Sequence, residues 1–218
     1  MRRLLILMAA VVGCVAARAD SVRDAVLTVT EPLTELKYAE RADFHTVVFA
    51  SRPTVIPAYA FRECPNLREV RLPESVRDIK SQAFVYCRSL RSINLPDGMT
   101  HIGANVFSFC TSLREVKLPA NLKELESYAF SECTSLRRIT MPANANLLGE
   151  MLFAGCYALT ELIEPSPVPP PFDCNSQPFD PEERSLLRTC TLRVPGSAIP
   201  AYRKAYAWRD FENMEPLN

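Results

Sequence analysis

The sequence predicts an elongated solenoid of short parallel strands, and three observations predict it. Phenylalanine recurs at Phe61, Phe84, Phe107, Phe130 and Phe153, a period of 23 residues that no insertion breaks. Cysteine stands three places later at Cys64, Cys87, Cys110, Cys133 and Cys156, and leucine three places after that at Leu67, Leu90, Leu113, Leu136 and Leu159. Each unit then closes on an alternating apolar stretch and a proline, at Pro73, Pro96, Pro119, Pro142 and Pro165. A unit of this size cannot bury its own apolar side, so neighbours must stack.

Within a unit, Leu67, Val70 and Leu72 lie on one side of an extended segment, as do Leu90, Ile93 and Leu95, Leu113, Val116 and Leu118, and Leu136, Ile139 and Met141. Short period-2 alternation of this kind reads as one strand with its apolar side inward. The proline ends it, because it has no N–H for a ladder. A thinner apolar set follows at Val76, Met99 and Leu122, then at Ile79, Ile102, Leu125 and Leu148. These short clusters read as turns or extended coil. The expected fold is therefore a leucine-rich-repeat solenoid with short parallel strands on the concave face and turns or coil on the convex face.

The unit L-x-x-I-x-L-P-x-x-φ-x-x-I-x-x-x-A-F-x-x-C-x-x-L resembles that of the BspA-like leucine-rich-repeat proteins, common among secreted and surface proteins of anaerobic bacteria. The match runs over about residues 46–165, with a tail typical of the class after it. The resemblance implies extracellular binding and adhesion to macromolecules of a host or a neighbouring cell, without a catalytic centre or cofactor.

Taken in order, Met1-Arg2-Arg3 and the apolar run Leu4 to Val12 precede Ala17-Arg18-Ala19. A basic start, a short apolar run and a small-x-small site form a secretory signal peptide over residues 1–19. The run is shorter than the ~20 residues that span a bilayer. Val11-Val12-Gly13-Cys14 also resembles a lipobox, in which Cys14 would be lipidated and become the first residue; otherwise Cys14 is one more apolar residue of the signal. Either route leads out of the cytoplasm, and a membrane enters only through a lipid on Cys14.

Residues 20–45 do not match the repeat and are expected to cap it, with a strand over Ala25 to Thr30 and a short helix or turn over Leu33 to Ala42. Phe44, Val47 and Phe49 stand one period before Leu67, Val70 and Leu72 and mark a degenerate first turn. Repeats fill 46–165. An irregular last turn and cap occupy 166–218, opened by the proline-rich stretch Pro165 to Pro171. Similar stretches open the last turn of the resembled class, so it is read as structure and not as a linker. Thr191 to Pro195 restores a strand, and Ser197 is a candidate N-cap for a helix over Ala198 to Ala207. Ala198, Tyr202, Ala205 and Trp208 share one helical face, which makes Trp208 a capping side chain before it is a ligand-stacking one.

Composition narrows the function. Lys and Arg together number 25, as do Asp and Glu, so net charge is zero. Nucleic acid is not an expected partner, because a nucleic-acid footprint needs basic excess. Histidine occurs only at His45 and His101, and no metalloprotease, nucleophile-elbow or phosphate-loop motif is present. Cys110 with His101 is the one thiol–base pair to weigh. Four other cysteines share its register without a matching histidine, so Cys110 reads as a packing position. No catalytic residue, metal ligand or cofactor is assigned.

The repeat cysteines stack about 4.8 Å apart with side chains pointing the same way, whereas a disulfide wants Cβ atoms about 3.8 Å apart. They are expected to be buried free thiols. Cys174 and Cys190 flank an irregular loop, where a cap disulfide is plausible in an exported chain.

What remains is the outward side of the strands. Arg68, Arg91, Arg114 and Arg137 recur at the first outward position, followed by Glu69, Ser92, Glu115 and Arg138, then by Arg71, Asn94, Lys117 and Thr140. The candidate binding set is Arg68, Glu69, Arg71, Arg91, Asn94, Arg114, Glu115, Lys117, Arg137 and Arg138. Like charges one turn apart repel by about 1 kcal/mol before screening, so a column kept at that cost suggests use. The expected function is a non-enzymatic extracellular binding module that offers this basic face to an acidic glycan or protein. The alternatives are a solvated face of snorkelling arginines and a structural surface spacer or assembly component.

Overall fold

Each 23-residue unit makes one turn of a solenoid that carries two short strands, one on each side. The structure, a computed structural model, describes residues 20–145, 147–172, 179 and 185–217. The expected signal segment with Cys14 lies outside the described residues, as does Cys174. On the concave face run β1 (Ser21–Arg23), β2 (Val26–Val29), β3 (Thr46–Phe49), β5 (Glu69–Arg71), β7 (Ser92–Asn94), β9 (Glu115–Lys117), β11 (Arg138–Thr140), β13 (Glu161–Ile163), β14 (Thr191–Val194) and β15 (Asn213–Pro216). All neighbours in this set that pair are parallel except β1 and β2, which form an antiparallel hairpin.

The segments expected as coil build a second parallel sheet: β4 (Val55–Ile56), β6 (Asp78–Ile79), β8 (His101–Ile102), β10 (Glu124–Leu125) and β12 (Leu147–Leu148). Its strands are two residues long, too short for alternation to be legible in the sequence. Ile56, Ile79, Ile102, Leu125 and Leu148 point inward and are buried.

The return path between the sheets is built on left-handed residues. Tyr59, Gln82, Asn105, Tyr128 and Met151 have positive φ, and so do Glu63, Tyr86, Phe109, Glu132 and Gly155 four places on. A non-glycine residue pays about 1 kcal/mol or more for this conformation. The gain is a third ladder: Phe107 N donates to Ala129 O (2.9 Å) and Phe109 N to Ser131 O (2.9 Å), and the same bonds recur from turn to turn.

Inside this path the aromatic column forms a continuous stack. Tyr38, Phe61, Phe84, Phe107, Phe130, Phe153 and Phe179 lie 5.2–6.1 Å apart between ring centroids, with neighbouring planes within 21° of parallel. Beside it the repeat cysteines are free and buried. They also hydrogen-bond: Cys64, Cys87, Cys110, Cys133 and Cys156 donate to the carbonyl of Tyr38, Phe61, Phe84, Phe107 and Phe130 at 3.0–3.4 Å. The thiol is thus a donor that ties each turn to the one before it.

Tyr38 shows that the solenoid path begins before residue 46. It heads the aromatic stack, its N–H donates to Ala60 O (2.9 Å), and Leu36 and Glu40 carry the positive φ of the later turns. Residues from β2 onward therefore make a turn, where a cap was expected, and 33–42 is turn and not helix. Asp20 locks the hairpin on, accepting from Thr30 N (2.6 Å), Glu31 N (3.0 Å), the Tyr38 hydroxyl and Lys37 Nζ (2.7 Å).

At the other end, α1 (Ser185–Thr189) precedes β14, and the expected helix over 198–207 shortens to a 3-10 turn Gly196–Ala198 and α2 (Ile199–Tyr202). Neither receives a side-chain cap, so Ser197 does not act as one. Positive φ at Ala207 breaks the path before a 3-10 turn Trp208–Asp210. Of the four residues expected on one helical face, Ala198, Tyr202 and Trp208 are buried and Ala205 half-buried, with Ala205 and Trp208 beyond the end of the helix. Trp208 donates to Pro170 O (3.0 Å) and Tyr202 to Ser166 O (3.0 Å), so the proline-rich stretch is packed structure. Trp208, 1 % exposed, is a cap and offers no ring face to a ligand.

Candidate functional site

The outward side chains of the concave strands divide into three rows with different fates. In the first row Arg68, Arg91, Arg114 and Arg137 are all exposed. None has a side-chain hydrogen bond or ion pair to a described residue. Each follows a buried leucine, Leu67, Leu90, Leu113 or Leu136, which fixes the arginine on the outside.

The second row is paired off, partly by residues of the third. Arg138 sits 3.9 Å from Glu115 and donates to Glu161; Arg193 reaches Glu161 at 2.7 Å and Glu215 at 3.1 Å. The chain Glu115–Arg138–Glu161–Arg193–Glu215 thus alternates in sign across β9, β11, β13, β14 and β15. Earlier in the row Glu69 takes Arg71 from the third row at 2.7 Å. Exposed pairs of this kind are worth about 0–1 kcal/mol each, so their main effect is to cancel charge. Of the expected binding set, Glu69, Arg71, Glu115 and Arg138 are engaged with protein partners, and the basic excess is confined to the first row and Lys117.

Asn94 has a structural role. Its amide stands in for a backbone group, accepting from Leu72 N (2.7 Å) and donating to Leu72 O (2.9 Å). In later turns the bond at this place is between backbones, as from Leu118 N to Thr140 O (2.9 Å). This contact ties β7 to β5; on its other side β7 does not pair with β9, so the concave sheet is two five-stranded sheets with a seam between Arg91 and Arg114. Ile93 and Leu95 beside the seam are only partly buried, unlike Val70, Leu72, Val116 and Leu118.

The thiol–base pair does not assemble. Cys110 donates to Phe84 O, and burial pushes its thiol up, away from the reactive thiolate. His101 instead lies between two carboxylates on the second sheet, with Nδ1 2.6 Å from Asp78 Oδ1 and Nε2 2.7 Å from Glu126 Oε1. Burial would lower its pKa, but hydrogen bonds to Asp78 and Glu126 outweigh it and raise the pKa above the ordinary value. Cys190 is a free, buried thiol, pushed by burial up to about 12, and its candidate bridge partner Cys174 lies outside the described residues. No group of three or more metal-ligating side chains occurs among the described residues.

One ionisable group escaped the sequence reading. Glu164 continues the column Leu72, Leu95, Leu118 and Met141, and it is fully buried. Ser166 N donates to one oxygen (3.0 Å), the other has no partner, and burial pushes the pKa up to about 8. A carboxyl in an apolar column is held neutral at pH 7 by this.

Comparison with known proteins agrees with this geometry. The model of the BspA type leucine-rich-repeat region matches residues 37–168 in six copies, beginning at the turn that Tyr38 heads. A leucine-rich-repeat protein of T. pallidum aligns with a TM-score of 0.59 at 23 % identity over 85 % of this chain and 92 % of its own. The pneumococcal vaccine antigen PcpA aligns with a TM-score of 0.55 at 18 % identity, over 83 % of this chain but 41 % of its own. A leucine-rich cell surface protein of Faecalibacterium prausnitzii gives 0.50 at 24 % identity, over 66 % and 36 %. Curated protein sequences give no match. These likenesses show the fold, and the family match covers more than half of the chain, which therefore belongs to the BspA-type leucine-rich-repeat family.

Proposed function

We propose that this protein is a non-enzymatic binding module of the cell exterior that engages an acidic macromolecule, glycan or protein, through the arginine ridge of its concave face. The observation that carries this reading is the contrast between rows. Arg71, Arg138 and Arg193 on the same face are matched with carboxylates, whereas Arg68, Arg91, Arg114 and Arg137 are exposed and unmatched. Guanidinium groups suit carboxylates and sulfates because they donate two parallel hydrogen bonds. Location outside the cytoplasm rests on the signal segment, and attachment to a membrane would run through a lipid on Cys14. No described helix is long and apolar enough to cross a membrane.

The experiment is an array of acidic and neutral glycans and matrix proteins, read at low and high salt, with the Arg91→Ser, Arg114→Ser, Arg137→Ser triple variant beside the wild type. Acidic ligands should be retained by the wild type, released by salt as exposed charges are screened within about 10 Å at 0.1 M, and lost in the variant. Unchanged affinity in the variant would move the site to the caps or the convex loops. The second reading, a structural spacer, is favoured by the ion-paired chain from Glu115 to Glu215, in which the arginines Arg138 and Arg193 are used up on carboxylates of the face itself. An array with no acidic binder supports that reading instead.

A further inference from the structure

The ridge has a finer pattern than its charge. Its arginines close the repeated triplets Ser89-Leu90-Arg91, Ser112-Leu113-Arg114 and Ser135-Leu136-Arg137, with Asn66-Leu67-Arg68 at the head. The leucine of each triplet is buried, the arginine after it is exposed, and the serine before it is half-buried in the preceding turn. The three serine hydroxyls make no side-chain hydrogen bond to a described residue. Partly accessible hydroxyls without a described partner thus precede three of the four unpaired arginines, two residues before each. Among the described residues the exposed large apolar side chains are Leu36, Val55, Leu147, Tyr157, Val168 and Tyr206, and none lies on the concave strands. Protein partners are held by a few buried aromatic or aliphatic anchors, which this ridge lacks.

From this we infer that the ridge takes a linear acidic polysaccharide lying along the solenoid axis, its carboxylate or sulfate groups on the arginines and its hydroxyls on the serines. The inference rests on the proposed function above and narrows its ligand to one class. A chain of sugars supplies anions at intervals and hydroxyls between them, and it needs no apolar pocket. From Arg68 to Arg137 is three steps of about 4.8 Å, roughly 14 Å if the turns stack evenly. The seam between Arg91 and Arg114 divides the ridge into two pairs, so a short chain fills one pair and a longer chain gains by filling both, as any tethered second contact does.

The test measures affinity for hyaluronan oligosaccharides of increasing length, for the same series chemically sulfated, and for poly-L-glutamate of matched charge. Affinity for at least one sugar series should climb with length and level off once the chain spans the four arginines. The two series separate carboxylate from sulfate recognition. Poly-L-glutamate should bind at least about tenfold more weakly, and Arg91→Ser or Arg114→Ser should each lower sugar affinity by about tenfold, the effect of one charged hydrogen-bonding group. Glutamate polymer bound as tightly as sugar, or sugar affinity independent of length, overturns the inference while leaving the acidic-ligand reading in place. Sugar binding unaffected by the arginine changes, or no binding to any of the three polymers, overturns both.

Discussion

At the boundary between the turns of β7 and β9 the two sides of the molecule differ. On the second sheet β8 and β10 pair in register, His101 reaches across to Glu126 at 2.7 Å, and the left-handed path keeps its bonds from Phe107 to Ala129 and from Phe109 to Ser131. On the concave side the ladder is open. Arg91 N donates to Arg68 O (2.9 Å) and Arg137 N to Arg114 O (2.8 Å), but no such bond joins Arg114 to Arg91. The turns thus hold together through the aromatic stack, the thiol donors and the second sheet. The concave strands are held in place by them and can vary, which is why charge, seam and candidate site all lie there.

The largest test of this division is Phe107→Ala against Arg114→Ser. Removing a ring from the middle of the stack leaves a cavity, and such changes cost about 3–5 kcal/mol. Arg114 touches no partner, so its loss should fall within about 0.5 kcal/mol of zero. Urea unfolding of the two variants measures both, and equal effects would mean that the concave face carries stability after all.

Glu164 tests the same division at the end of the leucine column. Its carboxyl titrates at about 8 in the fold against an ordinary 4.5, so between these values the folded state binds more protons than the unfolded one. Its contribution is most favourable below pH 4.5 and is lost as pH rises to about 8. Glu164→Leu should therefore outlast the wild type in denaturant at pH 8.5 by about 2 kcal/mol or more, and by much less at pH 5. A gap that stays constant across this range would show that Glu164 is charged in the fold.

His101 contributes with the same sign on the second sheet. Its raised pKa means that its stabilisation is complete below the ordinary 6.5 and fades as pH climbs through the folded value. The groups facing it are Asp78, Glu126 and, through its bridge to Asp78, Lys80. His101→Gln should flatten the stability profile around neutral pH by an amount smaller than that of Glu164. An imidazole NMR titration of the wild type that places His101 below 6.5 would contradict the clamp.

How much of this was legible follows from repetition. The phenylalanine, cysteine and leucine columns could be read because they recur in five registers, and they placed the core and the outward arginines. Tyr38 was hidden because it replaces the phenylalanine of its turn while Arg41 replaces the cysteine. The pairing of Glu161 with Arg193 was hidden for another reason. Glu161 faces Thr191 in the ladder, a step of 30 residues that the period of 23 does not predict. Glu164 stood in plain register after Met141, and its meaning depended on burial, which a charged residue beside a proline-rich stretch does not suggest.

Asn94 offers the smallest test, on the closed side of β7, where its amide ties that strand to β5. Its counterpart in the next turn but one is Thr140, whose backbone carbonyl accepts from Leu118 N in a closed ladder. In Asn94→Thr the two amide bonds to Leu72 are lost, and the Asn94 carbonyl becomes free to take Leu72 N as Thr140 takes Leu118 N. Two hydrogen bonds go and one ladder bond returns, so net stability should change by less than about 1 kcal/mol. The effect belongs in hydrogen exchange. The Leu72 amide should stay protected once the carbonyl replaces the side chain, and Leu95 and Arg114, on the seam side of β7, should not change. A Leu72 amide that exchanges about tenfold faster in the variant would show that the asparagine side chain alone closes this end of the β5–β7 ladder.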